Sequence, residues 1–331
     1  MSVATLWLLS VLAFAGGRLL PGNVGRAMLG PFADQRAVDV RNHELGTDRP
    51  ILVQYGDWIG SFVQGDFGKS YAYNVPVADL LWPALANSAK LGILALLLVV
   101  PLGVSGGVVA ALNRERLADR AISVLGVSLT SIPEFVSGIV LLLLLGRWAR
   151  LLPMFADFPP NAGVLTQIYY LILPATPLVL VLFGYIARMS RSGMIEALDA
   201  DYTRTAILKG LTHRQVIWRH VLRNALLPTI SVIATQTVYL LGGLLAIEHL
   251  FHYQGVGSLV VTAASKKDFP LLQSAVMAIG AIFALVTLGA DLLYSLLNPR
   301  IRLSGARVRG RLQNRKASSP SRKTTREANA S

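Results

Sequence analysis

The sequence predicts an all-α, polytopic membrane protein with six transmembrane helices. Hydrophobic residues make up 53% of the chain and charged residues only 15%, whereas a soluble domain carries about a quarter charged residues. Apolar stretches near the roughly 20 residues a helix needs to cross a bilayer recur from end to end. They are too long and too continuous to be the alternating strands of a membrane barrel.

The spans read, in order, as residues 2–20, 84–112, 121–146, 168–189, 226–247 and 271–297. Within 2–20, Ala13-Phe14-Ala15 has the small-residue pattern of a signal-peptidase site, but the basic leader that a signal peptide needs is missing. The chain therefore divides into a first transmembrane helix (1–20), an outer loop (21–83), a membrane domain (84–303) interrupted by a polar loop (190–226), and a tail (304–331). Basic residues gather on one side. Arg114, Arg116 and Arg120 follow the second span, Arg191, Arg204, Lys209, Arg214, Arg219 and Arg223 follow the fourth, and ten more follow the sixth, from Arg300 to Arg326. In the 21–83 loop, by contrast, acidic residues offset the basic ones. The positive-inside rule then puts both termini in the cytoplasm. On this reading the net charge of +13 is an orientation signal, and nucleic acid is not a partner. The tail lacks the apolar residues to offset the cost of ordering and is expected to be disordered against membrane lipid.

The 190–226 loop is helix-forming yet too charged to enter the membrane. Ala197, Leu198, Tyr202, Ala206 and Leu208 supply an apolar face at three- and four-residue steps, and Gly210 can take the left-handed conformation that ends a helix. Thr212 with Gln215 reads as a capping box opening a second helix with Val216, Ile217 and Val221. Such a helix-turn-helix is also the outline of a DNA reader, but tethering at both ends to membrane spans argues against that. An amphipathic helix lying on lipid headgroups is the other plain reading. The functional reading is a docking knob, apolar and rimmed by Arg204, Lys209 and Arg214, that enters a groove on a soluble partner.

The run Asp201-Tyr202-Thr203-Arg204-Thr205-Ala206-Ile207-Leu208-Lys209-Gly210-Leu211, then His220-Val221-Leu222-Arg223-Asn224-Ala225-Leu226-Leu227-Pro228, resembles the EAA loop of ABC-importer permeases, in the form found in dipeptide/oligopeptide importers. Arg204-Thr205-Ala206 stands where the wider superfamily has Glu-Ala-Ala. The outer segments Leu45 to Pro50, Gln54-Tyr55, Trp58, Gly65 to Ser70 and Pro76-Val77 are similar to that family's first external loop. Glu248, Phe251, Gly255, Val256, Gly257 and Lys267 to Pro270 are similar to its last one. Pro21-Gly22-Asn23 and the closing Asp291, Tyr294, Pro299 to Arg302 also match, each with one substitution.

The resemblance implies a type I ABC-importer permease fold in a bacterial inner membrane. In that family the loop holds the coupling helix, so Asp201, Tyr202, Arg204, Thr205, Ala206, Leu208, Lys209, Gly210 and Leu211 are the expected contact with an ATPase. Implied partners are a second, homologous permease, two ATPase subunits and an extracytoplasmic peptide-binding protein. Dipeptides or oligopeptides are the implied cargo, with glutathione or nickel complexes as alternatives.

Chemistry within the chain is not expected. There is no cysteine, which excludes thiolate metal sites and thiol catalysis. Gly68-Lys69-Ser70 hints at a phosphate loop, but Val63 stands where its first glycine belongs. His249 and His252 beside Glu248 make a weak metal pattern, so no cofactor or metal is assigned. Polar groups in spans are costly and therefore informative. Glu134, Gln236 and Asp291 are candidates for the pathway or gate, Glu134 foremost because Pro133 breaks the backbone before it. Lys90 and Arg188, near span ends, read as snorkelling. An ion-coupled secondary transporter is the main rival and would need an inverted repeat with buried ion ligands.

Overall fold

The computed structural model describes residues 2–19, 24–30, 32–44, 46, 48–159 and 161–297. The Pro21-Gly22-Asn23 match, Leu45 and Thr47 of the first external motif, the closing match from Pro299 to Arg302 and the basic tail lie outside the described residues. The described chain is helical, with one isolated bridge between Lys69 and Pro76.

Helix α1 (Ser2–Leu19) is followed by three helices of the 21–83 loop, α2 (Val24–Leu29), α3 (Gln35–Glu44) and α4 (Ile51–Val63). Then come α5 (Val77–Leu112), α6 (Leu117–Thr130), α7 (Glu134–Leu141), α8 (Val164–Asp199), α9 (Asp201–Leu208), α10 (His213–Val216), α11 (Leu222–Leu250), α12 (Val256–Ser265) and α13 (Phe269–Leu297). Four helical runs are long and apolar enough to cross a membrane: α5, α8, the run His213–Leu250 and α13. The pair α6 and α7 makes a fifth if taken as one broken span. Helix α1, with its apolar part at Ala4–Gly16, is shorter than these.

The span expected over 121–146 is bent by 104°. Ser131, Ile132 and Pro133 interrupt it, because proline has no N–H to donate and forces the preceding residue out of the helical region. Past α7 the chain widens into a π-helical stretch, Leu142–Trp148. The expected spans 84–112 and 168–189 lie inside longer helices. Helix α8 runs ten residues past Met189, so the first part of the 190–226 loop is a helical stalk rising from the membrane domain. Helices α5, α8 and α11 carry internal prolines, and those of α8, Pro174 and Pro177, are buried against neighbouring helices, where a break in the backbone ladder is tolerated in lipid.

The core sits where α5, α8 and α11 meet. Leu91, Ala95 and Val99 from α5, Leu171 to Ile186 from α8 and Leu240, Leu244 and Ile247 from α11 form one buried cluster. The helices α5 and α8 approach through Gly103 and Gly107, spaced four apart, as small residues allow between helices in lipid. A Cβ on Gly107 would lie 2.4 Å from the Ser190 Cβ and 2.5 Å from the Ala187 carbonyl oxygen. Backbone cannot give way as a side chain can, so Gly107→Val should cost about 2 kcal/mol or more by overpacking. The check is a lower melting temperature in detergent and a reduced yield of inserted protein.

Candidate functional site

Between the stalk and α9, Ala200 adopts an extended conformation (φ −73, ψ 149) that ends α8. Thr203 Oγ1 donates to the Ala197 carbonyl at 2.7 Å, fixing the angle at which α9 turns away. Helix α9 closes at Gly210, whose φ of +83 is the left-handed conformation expected of it. Nothing stands within 4 Å of a Cβ built there, so this glycine is required by backbone shape and not by space. The Thr212 N–H donates to Gln215 Oε1 at 3.0 Å, the reciprocal half of the capping box. A π-helical segment, Ile217–Val221, joins α10 to α11.

The apolar residues of this loop divide into two faces. Ala206 and Ala197 turn inward, joining Ala111, Met194, Val216, Val221 and Ala225 in a buried cluster that ties the loop to α5, α8 and α11. Tyr202, Ile207, Leu208 and Trp218 face outward, Leu208 being 87% exposed. Ile207 and Trp218 were not among the residues expected there. Arg204, Lys209 and Arg214 are exposed beside them. The result is an inward-anchored turn with an uncovered apolar tip and a basic rim.

Away from this loop, Glu134 and Gln236 line one cavity of about 320 Å³ with Leu178, Val181, Leu182, Tyr185, Tyr239, Leu240 and Gly243. Gly243 makes room for the carboxylate, since a Cβ there would lie 3.3 Å from Glu134 Oε1. Neither the Glu134 carboxylate nor the Gln236 amide has a hydrogen-bond or ion-pair partner among the described residues, although Gln236 is only 8% exposed. A half-buried carboxylate and a buried amide left open toward a cavity are disposed to meet a polar ligand or water. Asp291 is exposed on α13 and does not line this cavity. Lys90 and Arg188 are exposed; Arg188 borders a separate cavity of about 270 Å³.

Three buried carboxylates, unsingled in the sequence as anchors, hold the frame around these features. Glu248, 0% exposed, accepts from Ser88 Oγ at 2.5 Å and from the Gly257 and Ser258 N–H groups at 2.8 and 3.3 Å, closing the α11–α12 turn onto α5. Asp268, also 0% exposed, accepts from Ser70 Oγ and from the Tyr71 and Ala72 N–H groups at 3.1 Å. Two motifs nearly 200 residues apart are thereby joined. Asp119, 3% exposed at the start of α6, takes Arg191 Nε and Nη2 at 2.5 and 2.7 Å, a bidentate pair across to the α8 stalk. The Gly255-x-Gly257 pattern beside Glu248 was the available signal for the first; nothing local marks Asp119.

Residues 103–303 match the family described as "Binding-protein-dependent transport system inner membrane component". The protein named "Probable peptide ABC transporter permease protein y4tP" from Sinorhizobium fredii is 35% identical over 301 residues, covering 91% of this chain and 96% of its own length. The "Glutathione transport system permease protein GsiC" of Escherichia coli K12 is 33% identical over 300 residues, covering 91% and 95%.

Proposed function

The chain belongs to the family of binding-protein-dependent transport system inner membrane components, and from that premise we propose that it is the membrane-spanning permease of an ATP-driven importer of small peptides. The observation that carries the mechanism is the uncovered apolar tip at Tyr202, Ile207 and Leu208, built on a turn whose inner face is locked into α5, α8 and α11. A rigid lever with an unpaired apolar end does nothing alone. Its use is to be gripped by another subunit, and we assign that role to an ATPase.

In this reading α1 is the first of six crossings, the broken α6–α7 pair is the third, and both termini are cytoplasmic. The stalk of α8, α9 and the start of α11 then stand on the ATPase side, and the outer loop with the α11–α13 turns stands on the other, where a binding protein delivers cargo. A second permease completes the pathway, and two ATPases grip one loop from each permease. ATP-driven closure moves each loop; the Asp119–Arg191 pair and the buried cluster around Ala206 pass that motion to α5, α6, α8 and α11 without bending at the loop. The chain performs no bond chemistry. It offers alternating arrangements of the same helices.

The cavity of Glu134 and Gln236 is the proposed contact with cargo in transit. Its open polar groups suit the amide and ammonium groups of a peptide, and its leucines and tyrosines tolerate varied side chains. Glutathione is a second reading, favoured by the relative that carries its name. Glu134→Gln should lower uptake by about tenfold, roughly 1.4 kcal/mol of barrier, with insertion and ATPase retention unchanged. Uptake of labelled dipeptides, longer peptides and glutathione by the reconstituted complex tests both the function and the cargo. ATP-dependent accumulation supports the reading. Accumulation driven by an ion gradient without ATP would replace it with a secondary transporter.

A further inference from the structure

The 21–83 loop contains a helix, α4, with no buried residue, and three stripes of it differ in chemistry, with the exposed Val53 between the second and the third. Tyr55, Trp58 and Phe62 form one stripe. Their rings continue a chain of aromatic contacts from Phe14 on α1 to Phe67 and Trp82 on α5, with centroids 5.1 to 6.3 Å apart. Leu52, Ile59 and Val63 form a second stripe, Leu52 being 80% and Val63 78% exposed. Gln54, Asp57 and Ser61 form a third on the opposite side, where Asp57 pairs with Arg49 at 3.4 Å.

From these faces we propose that α4 lies flat in the outer headgroup region of the membrane and binds lipid through Leu52, Ile59 and Val63. The inference rests on the orientation given above, in which Leu19 and Val77 are the outer ends of α1 and α5. On the spans read from the sequence, Phe14 lies six residues inside the first crossing and Trp82 two residues outside the second, about 9 Å below and about 3 Å above the interface at 1.5 Å per residue. The aromatic chain between them, which α4 joins through Phe67, therefore runs at the level where interfacial helices lie. The side facing the acyl chains is also marked. Tyr55 sits on the Leu52 flank of the aromatic stripe, and its hydroxyl meets Ser10 Oγ at 2.7 Å, four residues deeper along α1 than Phe14. That flank points toward the bilayer centre, so the apolar stripe faces lipid and Asp57 and Ser61 face water. Tyrosine and tryptophan are the residues expected at this level. Helix α4 thus acts as a float that sets the depth of the outer ends of α1 and α5.

The absence of cysteine in the chain makes the test direct. Single cysteines at Leu52, Val63, Asp57 and Ser61 in the full chain carry a fluorophore, in vesicles with lipid spin-labelled near the headgroup or with aqueous iodide. The proposal expects labels at 52 and 63 to be quenched severalfold more by the lipid than by iodide, and labels at 57 and 61 to show the reverse. Equal iodide quenching at all four positions would overturn it. So would protection of 52 and 63 from both quenchers, which would mean that protein covers this face. A membrane-impermeant thiol reagent on intact cells separates the premise from the inference: if Asp57→Cys reacts only in inverted vesicles, the orientation fails, whatever the lipid contact.

Discussion

Leu208→Asp is expected to abolish ATP-driven uptake while leaving the chain inserted and folded. Leu208 is 87% exposed and lies at the end of α9, one residue before Lys209 and two before the turn at Gly210. It is absent from the buried cluster that anchors the loop, so a carboxylate there loses no internal packing and stays hydrated. If the tip enters an apolar groove of an ATPase, the same carboxylate must be stripped of water without a partner. Residues at the centre of such contacts are worth about 2 kcal/mol or more, roughly thirtyfold in affinity. Co-purification of the ATPase and peptide uptake should fall together, and the melting temperature of the isolated chain should not move. Ala206→Asp makes the contrast. It places a charge in the buried cluster and should lower stability first, with uptake lost as a consequence.

Glu248→Ala should produce the largest loss of stability among single truncations of buried side chains on the side proposed to be outer. The carboxylate answers the Ser88 hydroxyl and the N–H groups of Gly257 and Ser258, at a point shut off from water. Removing it orphans three donors and opens a void. At about 1 to 3 kcal/mol for each unsatisfied buried group, and with partial relaxation, the total is about 3 to 5 kcal/mol. For a chain of this size that is a fall in melting temperature of roughly 4 to 7 °C. Glu248→Gln keeps the volume but turns an amide group toward donors it cannot accept from at every position, so it should fall between alanine and the native residue. The neighbouring Gly255 has no room for a side chain, since a Cβ there would lie 2.1 Å from Glu248 Cδ. Gly255→Ala should therefore displace the carboxylate and approach the effect of its removal. Neither change touches the α9 tip, and residual ATPase retention should follow the fraction of folded protein.

The legible parts of this molecule were those written in local sequence. Apolar length marked the helices, and Pro133 marked the break that the structure realises as a 104° bend. Gly210 marked the left-handed end of α9, because a positive φ is a property of one residue and its neighbours. Helical periodicity also grouped Ala197, Tyr202, Ala206 and Leu208, but could not divide them. The split into an inward face at Ala206 and an outward face at Leu208 depends on where α5 and α11 stand, which no local window contains. The same reason hid the carboxylate anchors. Asp119 reads as an ordinary acidic residue in a first helical turn until Arg191, 72 positions later, is placed against it. Ser70 and Asp268, 198 positions apart, meet only once the 21–83 loop has closed. Glu134 and Gln236 were singled out for the cost of a polar group inside a span, and the structure brings them to one cavity; Asp291, chosen on the same ground, stands on the exposed surface of α13.

If the turn after the α8 stalk is held by a separate nucleotide-hydrolysing subunit, Leu208 stands against that subunit. The most direct test replaces Leu208 by cysteine in the otherwise cysteine-free chain and applies a short thiol-reactive photocrosslinker in native membranes with the importer's other subunits present. One dominant adduct containing an ATPase subunit is expected, and none when the cysteine stands instead at Asp57. Adducts only with lipid at Leu208, or none with any ATPase while uptake remains normal, would contradict it.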